Sequence, residues 1–220
     1  MIIAIDGRAA SGKGSLARRL AERFDLAHLD TGGLYRATAL RVLDAGANPA
    51  DPAAAEAAAK ALDVTGLDSP RLRDSDVGEA ASLVAGVPGV RAALLAFQRD
   101  FAHSPPCGAA GAVLDGRDIG SVVLPEADVK LFLTASAEAR ADRRHKELRQ
   151  RGTESIRAAV LRELAERDLR DESRDTAPMV QTPDALLLDT TNLDADAAFA
   201  AAVKLVLARQ QRAVPEHRAE

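Results

Sequence analysis

Short apolar runs alternate along this chain with longer stretches in which apolar residues recur every three or four positions. The runs are Ile2 to Ile5, Ala112 to Leu114 with Asp115, residues 129–134 and residues 185–189, and a weaker one covers 26–29. Runs of four to six residues suit strands buried on both faces, whereas the spacing Leu16, Leu20, Phe24 suits a helix packed by one side. Their alternation predicts an α/β fold, a parallel sheet flanked by helices, with ligands gathered at the carboxyl ends of the strands.

Two stretches interrupt the alternation. From Pro49 to Ser104 an Ala-rich helix is followed by the turn-broken stretch Leu62 to Val77 and an arginine-bearing helix from about Pro88, and residues 49–104 read as an inserted lobe. Residues 140–174 are strongly helical and dense in arginine, with acidic residues interleaved. Within them Arg149, Arg151, Arg157 and Arg162 read as a solvated face carrying i,i+4 pairs.

At 220 residues, 47% hydrophobic and 28% charged, the chain can bury a core as one domain and is neither disordered nor membrane-embedded in composition. A net charge of −4 argues against a general nucleic-acid surface, so any cations that bind phosphate must be concentrated locally. Cys107, the single cysteine, can form no internal disulfide and reads as a small unreactive hydrophobe. His28, His103, His145 and His217 are dispersed without ligand spacing, which offers no zinc site. The first strand starts at Ile2 and no apolar run reaches about 18 residues, so a cytoplasmic location is expected.

Four strings carry chemistry. Gly7 to Ser15, GRAASGKGS, links the first strand to the first helix, where backbone N–H groups, the positive end of the helix and the Lys13 ammonium can cradle phosphates. The strict pattern G-x-x-x-x-G-K-[ST] is not met, because Gly14 precedes Ser15. Asp30 to Arg36, DTGGLYR, opens the next helix after the weak strand and offers a hydroxyl and an arginine fork, although an N-cap with ordinary turn glycines would look the same. Leu114 to Gly120, LDGRDIG, ends a strand with Asp115, a position suited to help hold Mg²⁺ through water, and adds Arg117 and Asp118, which could form a structural salt bridge although two opposite charges beside two glycines at a strand's carboxyl end favour a binding role. Glu166 to Arg174, ERDLRDESR, spaces Arg167, Asp171 and Arg174 along one helical face.

Together with Ala80 to Leu95 and the extension of the third string to Ser136, these strings resemble the bacterial cytidylate kinases, a branch of the nucleoside monophosphate kinases with a P-loop. The resemblance runs in the family's order over most of the chain, and the doubled GKG is itself a variant of the loop in these kinases. It implies a P-loop sheet with an acceptor-binding lobe at 49–104 and an arginine-rich lid at 140–174, transferring phosphate directly from ATP to CMP or dCMP with Mg²⁺. It implies that Gly7, Arg8, Ala9, Ala10, Ser11, Gly12, Lys13, Gly14 and Ser15 bind ATP. Thr31 and Tyr35 would line the cytidine site, while Arg36, Arg91, Arg117 and Arg174 would hold the acceptor phosphate. Ser82, Asp118 and Arg167 would read cytosine and Asp171 the sugar hydroxyls. Lys13, Arg36, Arg117 and Arg174 would be catalytic, Ser15 and Asp115 would face the metal through water, and Arg140, Arg143 and Arg144 would sit near the lid.

The chemistry is coherent with that assignment. Asp118 can accept from the exocyclic amine of cytosine, where uracil would present another acceptor, so UMP should be disfavoured without being excluded. The nucleophile is a phosphate oxygen with a second pKa of about 6, so no general base is required. Arg8 stands where the family usually has proline, Thr31 replaces the commoner serine, and the stretch 62–82 is short enough to reduce or remove a small sheet. Restoring proline at position 8 is expected to stabilise the fold by roughly 0.4–1 kcal/mol if the backbone suits it. An adenylate- or shikimate-kinase-like enzyme would share the loop, but neither accounts for Arg117 and Asp118 together with Arg167, Asp171 and Arg174. A GTP-dependent switch lacks its base-reading string, since Thr191 to Asp194 contains no lysine, and a silent nucleotide-binding scaffold would have little use for Lys13. The expected partners are the small molecules ATP and CMP or dCMP, with no nucleic acid and no membrane, and the chain is expected to be a monomer.

Overall fold

The computed structural model describes residues 1–64, 67 and 69–213. Five parallel strands, β1 (Ile2–Gly7), β2 (Ala27–Asp30), β3 (Ala112–Asp115), β4 (Val129–Thr134) and β5 (Leu186–Asp189), lie in the order β2-β3-β1-β4-β5. They match the five apolar runs, with β2 displaced by one residue and β5 beginning one residue later. For β1, β3 and β4 the near-continuous hydrophobicity has a physical cause, since both faces are covered, whereas the edge strand β5 leaves Leu187 54% exposed. Ala4, Leu29 and Leu114 point into a core shared with α2 (Thr31–Asp44), α4 (Ser75–Val84) and α5 (Pro88–His103). Ile3, Ile5, Leu131 and Leu133 face the opposite core, closed by α1 (Lys13–Phe24) and α8 (Ala195–Ala213).

The strand order places three motifs on one rim. β1 and β3 are hydrogen-bonded neighbours with Ile5 opposite Asp115, and β2 lies beside β3 with Asp30 opposite Asp115. The glycine loop after β1, DTGG after β2 and GRDIG after β3 therefore emerge side by side, although more than 100 residues separate the first from the last. This is where open parallel sheets bind their ligands.

Between β2 and β3 the chain forms α2, α3 (Pro52–Lys60), a 3-10 turn at Pro70–Arg73, α4 and α5. Val77, Val84, Val90 and Leu94 from this stretch pack in the same core as Ala4 and Leu114. Residues 62–82 hold no strand among the described residues, and 65, 66 and 68 lie outside those described. After β4, α6 (Ala137–Gln150) and α7 (Arg157–Ser173) pair in a small separate cluster, Ala141, Leu148, Val160 and Leu164, that also takes in Ala9 of the glycine loop.

Two expectations need correction. Arg174 is not on the helical face with Arg167 and Asp171, because α7 ends at Ser173 and Arg174 has an extended backbone, φ −68° and ψ 141°. Its guanidinium instead folds back, with Nε donating to the carbonyl of Ala177 at 2.7 Å. Cys107 is not a packed hydrophobe: it is exposed, in a turn at Pro106–Gly108, where the sheet's core does not reach. Among the described residues no single helix is long and apolar enough to cross a membrane.

Candidate active site

The glycine loop begins with a residue that can only be glycine. Gly7 has φ +145°, and a Cβ there would stand 2.1 Å from the carbonyl oxygen of Leu133 on β4. At the far end Gly12, at φ +92°, starts α1 without any side-chain cap. The first N–H groups of α1 thus lack a side-chain acceptor and face the rim, the condition for binding an anion. Contrast α2, whose first turn is capped by Asp30 accepting from Gly33 N at 3.3 Å.

Around this loop the structure gathers the sequence-selected residues in two joined chambers. The outer one, about 320 Å³, is lined by Ala9, Ala10, Lys13, Gly14, Arg36, Asp115, Arg117 and Arg167, and also by Arg18, Arg73 and Arg144. The inner one, about 50 Å³, is walled by Thr31, Tyr35, Ser82, Arg91, Asp118, Asp171 and Arg174, with Arg117 and Arg167 common to both. A more voluminous groove, about 1030 Å³, runs along α6, α7 and the loop joining them past His145, Ser155 and Ile156, and no motif residue lines it.

Inside the inner chamber the charged side chains hold one another. Asp118 pairs with Arg91 and lies 3.8 Å from an Arg174 nitrogen, and Asp171 accepts from Arg117 Nε at 2.8 Å. Arg91 also stands over the Tyr35 ring, 5.4 Å from its centroid. Burial pushes the Asp171 carboxyl up, but Arg117, Arg167 and Arg174 overcome that and hold it below the ordinary carboxylate range. Burial raises the Tyr35 phenol. A chamber this small is well under the ~300–1,000 Å³ of ordinary ligand pockets. Any nucleobase entering must therefore displace some of these pairs.

The outer chamber is dominated by positive charge. Burial, then Arg117, lowers the Lys13 ammonium to about 7. Burial, then Arg117, likewise lowers Arg167 to about 9, with its Nε unpartnered. Asp30 sits among these cations, paired to Arg36 at 3.3 Å, and its carboxyl is held low against burial by Arg36 and Lys13. In a chain of net charge −4, this concentration of cations is the electrostatic signature of a polyanion site.

Several positions differ from a simple reading of the motifs. Thr31 spends its hydroxyl on the Asp115 carbonyl, at 2.8 Å, so it builds the wall between β2 and β3. Arg8 reaches Glu172 on α7, at 2.8 Å. That exposed bridge is worth about 0.2–1 kcal/mol, which offsets the gain expected from proline at position 8. Among the lid arginines, Arg140 is buried against Asp168 at 2.7 Å and donates to Ala9 O at 3.3 Å, Arg143 is turned to Thr190, and Arg144 alone lines the outer chamber. Sequence reasoning missed Asp6, which accepts two backbone N–H groups beside Asp118, His28, which holds Asp115 at 2.9 Å, and Arg170, which donates to Ser82 Oγ at 3.3 Å. Asp6 carried one legible signal, a carboxylate at the end of an apolar strand directly before the loop glycine.

A glycine loop feeding an uncapped helix, faced across a cleft by arginines from α2, α5, α6, α7 and the segment after β3, defines a P-loop phosphotransferase of the nucleotide-kinase class. A family profile described as "Cytidylate kinase" matches residues 3–208, and the chain belongs to that family. It is 57% identical over 205 residues to the cytidylate kinase of Paramagnetospirillum magneticum, covering 93% of this chain and 97% of that one. It is 58% identical over 206 residues to the cytidylate kinase of Methylocella silvestris, covering 94% of each. Among solved structures, an uncharacterized protein from Eubacterium ventriosum shares the fold, with a TM-score of 0.53 at 14% identity over 94% of this chain and 98% of that one.

Proposed function

We propose that this chain transfers the γ-phosphoryl group of ATP to the phosphate of CMP, and of dCMP, by direct in-line displacement, as a cytoplasmic monomer. The observation that carries the residue assignments is the gathering of three motifs on one rim with the fourth, on α7, facing them, so that Lys13 and the arginines line two adjoining chambers.

The division of labour is the one the family resemblance implies, and the lining of the two chambers supports it. Residues 7–15, with Lys13, take the donor phosphates, and Arg144 is the lid arginine placed to reach them. Arg36, Arg117 and Arg174 take the acceptor phosphate. Arg91 is assigned with them, and its partner Asp118 must be exchanged before it can reach a phosphate. Ser82, Asp118 and Arg167 read the base, Asp171 holds the sugar, and Thr31 and Tyr35 shape the pocket.

The reaction needs alignment and neutralisation rather than a proton acceptor. Two phosphate groups must approach in line, and their oxygens repel; cations fixed in advance around them lower that barrier. Water competes for the same phosphoryl group, so we take residues 49–104 as an acceptor lobe and 140–174 as a lid that close over the nucleotides.

The donor set is compatible with Mg²⁺. Among the described residues no cluster of three His, Cys, Asp or Glu could hold a metal alone. Mg²⁺ normally keeps waters and phosphate oxygens and needs only one or two protein carboxylates. Asp115 supplies one: His28 fixes Oδ1, and Oδ2 faces the glycine loop, 3.7 Å from where a Cβ at Gly14 would lie. Asp115, and the exposed Ser15 hydroxyl, would hold the ion through water, and the bound ion would neutralise charge on the donor phosphates.

The test is a coupled ADP-release assay with ATP and Mg²⁺ against CMP, dCMP, UMP, AMP and shikimate. CMP and dCMP are expected to be preferred and UMP to react more slowly. Faster turnover of AMP or shikimate would refute the acceptor assignment.

A further inference from the structure

Asp6 is the last residue of β1 before the loop glycine, and it is buried. Its side chain leaves the strand towards the segment that follows β3. There, after Gly116 donates to Ile5 O at 2.9 Å, the chain passes through Arg117 and Asp118 and winds into a short π-type turn, Ile119–Val123. The first two N–H groups of that turn both end on Asp6: Ile119 N on Oδ1 at 2.8 Å and Gly120 N on Oδ2 at 2.7 Å.

The residue that ordinarily satisfies such donors is the one at the N-cap, and aspartate is among the best residues for it. Here the N-cap residue is Asp118, yet it makes no side-chain cap bond. Its carboxylate is turned to Arg91 and Arg174 in the inner chamber. A carboxylate from another strand has taken over the capping, and the local aspartate is thereby free to face the pocket.

We propose that Asp6 is a positioning residue for the acceptor site: by capping the turn from β1 it fixes the aim of Arg117 and Asp118 relative to the glycine loop. This rests on Asp118 and Arg117 being acceptor-site residues, as assigned above. It also ties donor loop and acceptor turn through a single side chain, because Gly7 directly follows Asp6.

The energetics accord with a positioning role. Burial pushes the Asp6 carboxyl up to about 6, Asp118 adds to that, and the two backbone N–H groups and Lys13 oppose it. The aliphatic stem of Lys130 from β4 packs against the same turn at Gly120. A carboxyl raised in the fold binds its proton more tightly there than in the unfolded chain, so its ionisation costs stability as pH rises from about 4 to about 6. The charge is kept at a cost to the fold, as expected where geometry at the site is what it serves.

Asp6→Asn tests the proposal. Asparagine can accept from one of the two N–H groups but turns its own amide donor towards the other. We expect KM for CMP to rise at least ~10-fold and the preference for CMP over UMP to shrink as Asp118 is drawn back to the turn, with KM for ATP changed less than about twofold and the melting midpoint little altered. An unchanged KM for CMP overturns the proposal. So does a parallel rise in both KM values with a lowered midpoint, which marks a scaffold residue. Should Asp6→Asn fold poorly, Asp6→Ser is read by the same split, and failure of both to fold also counts against the proposal. A wild-type enzyme inactive on CMP would instead sink the functional reading.

Discussion

Lys13→Met is expected to lower kcat with CMP by roughly 10²–10³-fold, the scale of losing one fixed electrostatic contact to a developing charge, while leaving the fold as stable as before or more so. The first effect follows from placement: Lys13 opens α1 inside the phosphate cradle and lines the outer chamber. The second follows from its neighbours. Burial and Arg117 lower the ammonium to about 7, so between about pH 7 and 10.5 the unfolded chain binds this proton more tightly than the folded one. Wild-type stability should therefore rise with pH across that window, and the penalty of the charge is fully present below it. Methionine removes the charge and keeps the unbranched stem. Melting curves of both proteins at pH 7 and pH 9 check this: the variant should match or exceed wild type at pH 7, with the gap narrowing at pH 9. A loss of kcat under tenfold, or a clearly lower midpoint at pH 7, would contradict it.

Asp118→Asn should erode base selection rather than catalysis. The carboxylate only accepts, which suits the cytosine amine and opposes the uracil carbonyl, whereas an asparagine amide can turn to suit either. A buried acceptor facing another acceptor costs about 1–3 kcal/mol, so the CMP-to-UMP ratio of kcat/KM should fall by roughly 5- to 150-fold. Asp118→Ala would leave Arg91 and Arg174 buried side by side without their shared carboxylate, a change of the kind that costs about 3–5 kcal/mol. Asparagine retains an acceptor between them. Equal losses on both nucleotides would assign Asp118 to holding the arginines rather than to reading the base.

What the sequence revealed and what it hid have physical reasons. The central strands β1, β3 and β4 were legible because both of their faces are buried, which writes them as apolar runs, while the half-buried edge strand β2 gave the weaker one. The glycine loop was legible because close approach to β4 at Gly7 and the left-handed backbone at Gly12 demand glycine. Family resemblance brought in Arg91, whose helix α5 gives no local sign that it faces a pocket. Hidden were the pairings made across the fold: Arg8 with Glu172, Arg140 with Asp168, His28 with Asp115, and Asp6 with the turn after Asp118. Side chains far apart in sequence meet only through topology, and no local pattern specifies which carboxylate answers which arginine. The end of α7 at Ser173 was missed for a related reason, since Arg174 leaves the helix to reach Asp118, after β3, and the carbonyl of Ala177.

On the proposed function, Lys13, Arg36, Arg91, Arg117 and Arg174 close around two nucleotides and catalyse transfer through charge and alignment. A crystal structure with CMP and a non-hydrolysable ATP analogue tests it most directly. Arg36, Arg117 and Arg174 are expected within hydrogen-bond distance of the CMP phosphate and Lys13 on the terminal donor phosphates, with Asp118 at the cytosine amine. A complex in which these arginines keep their present carboxylate partners and the CMP phosphate rests elsewhere would contradict the account.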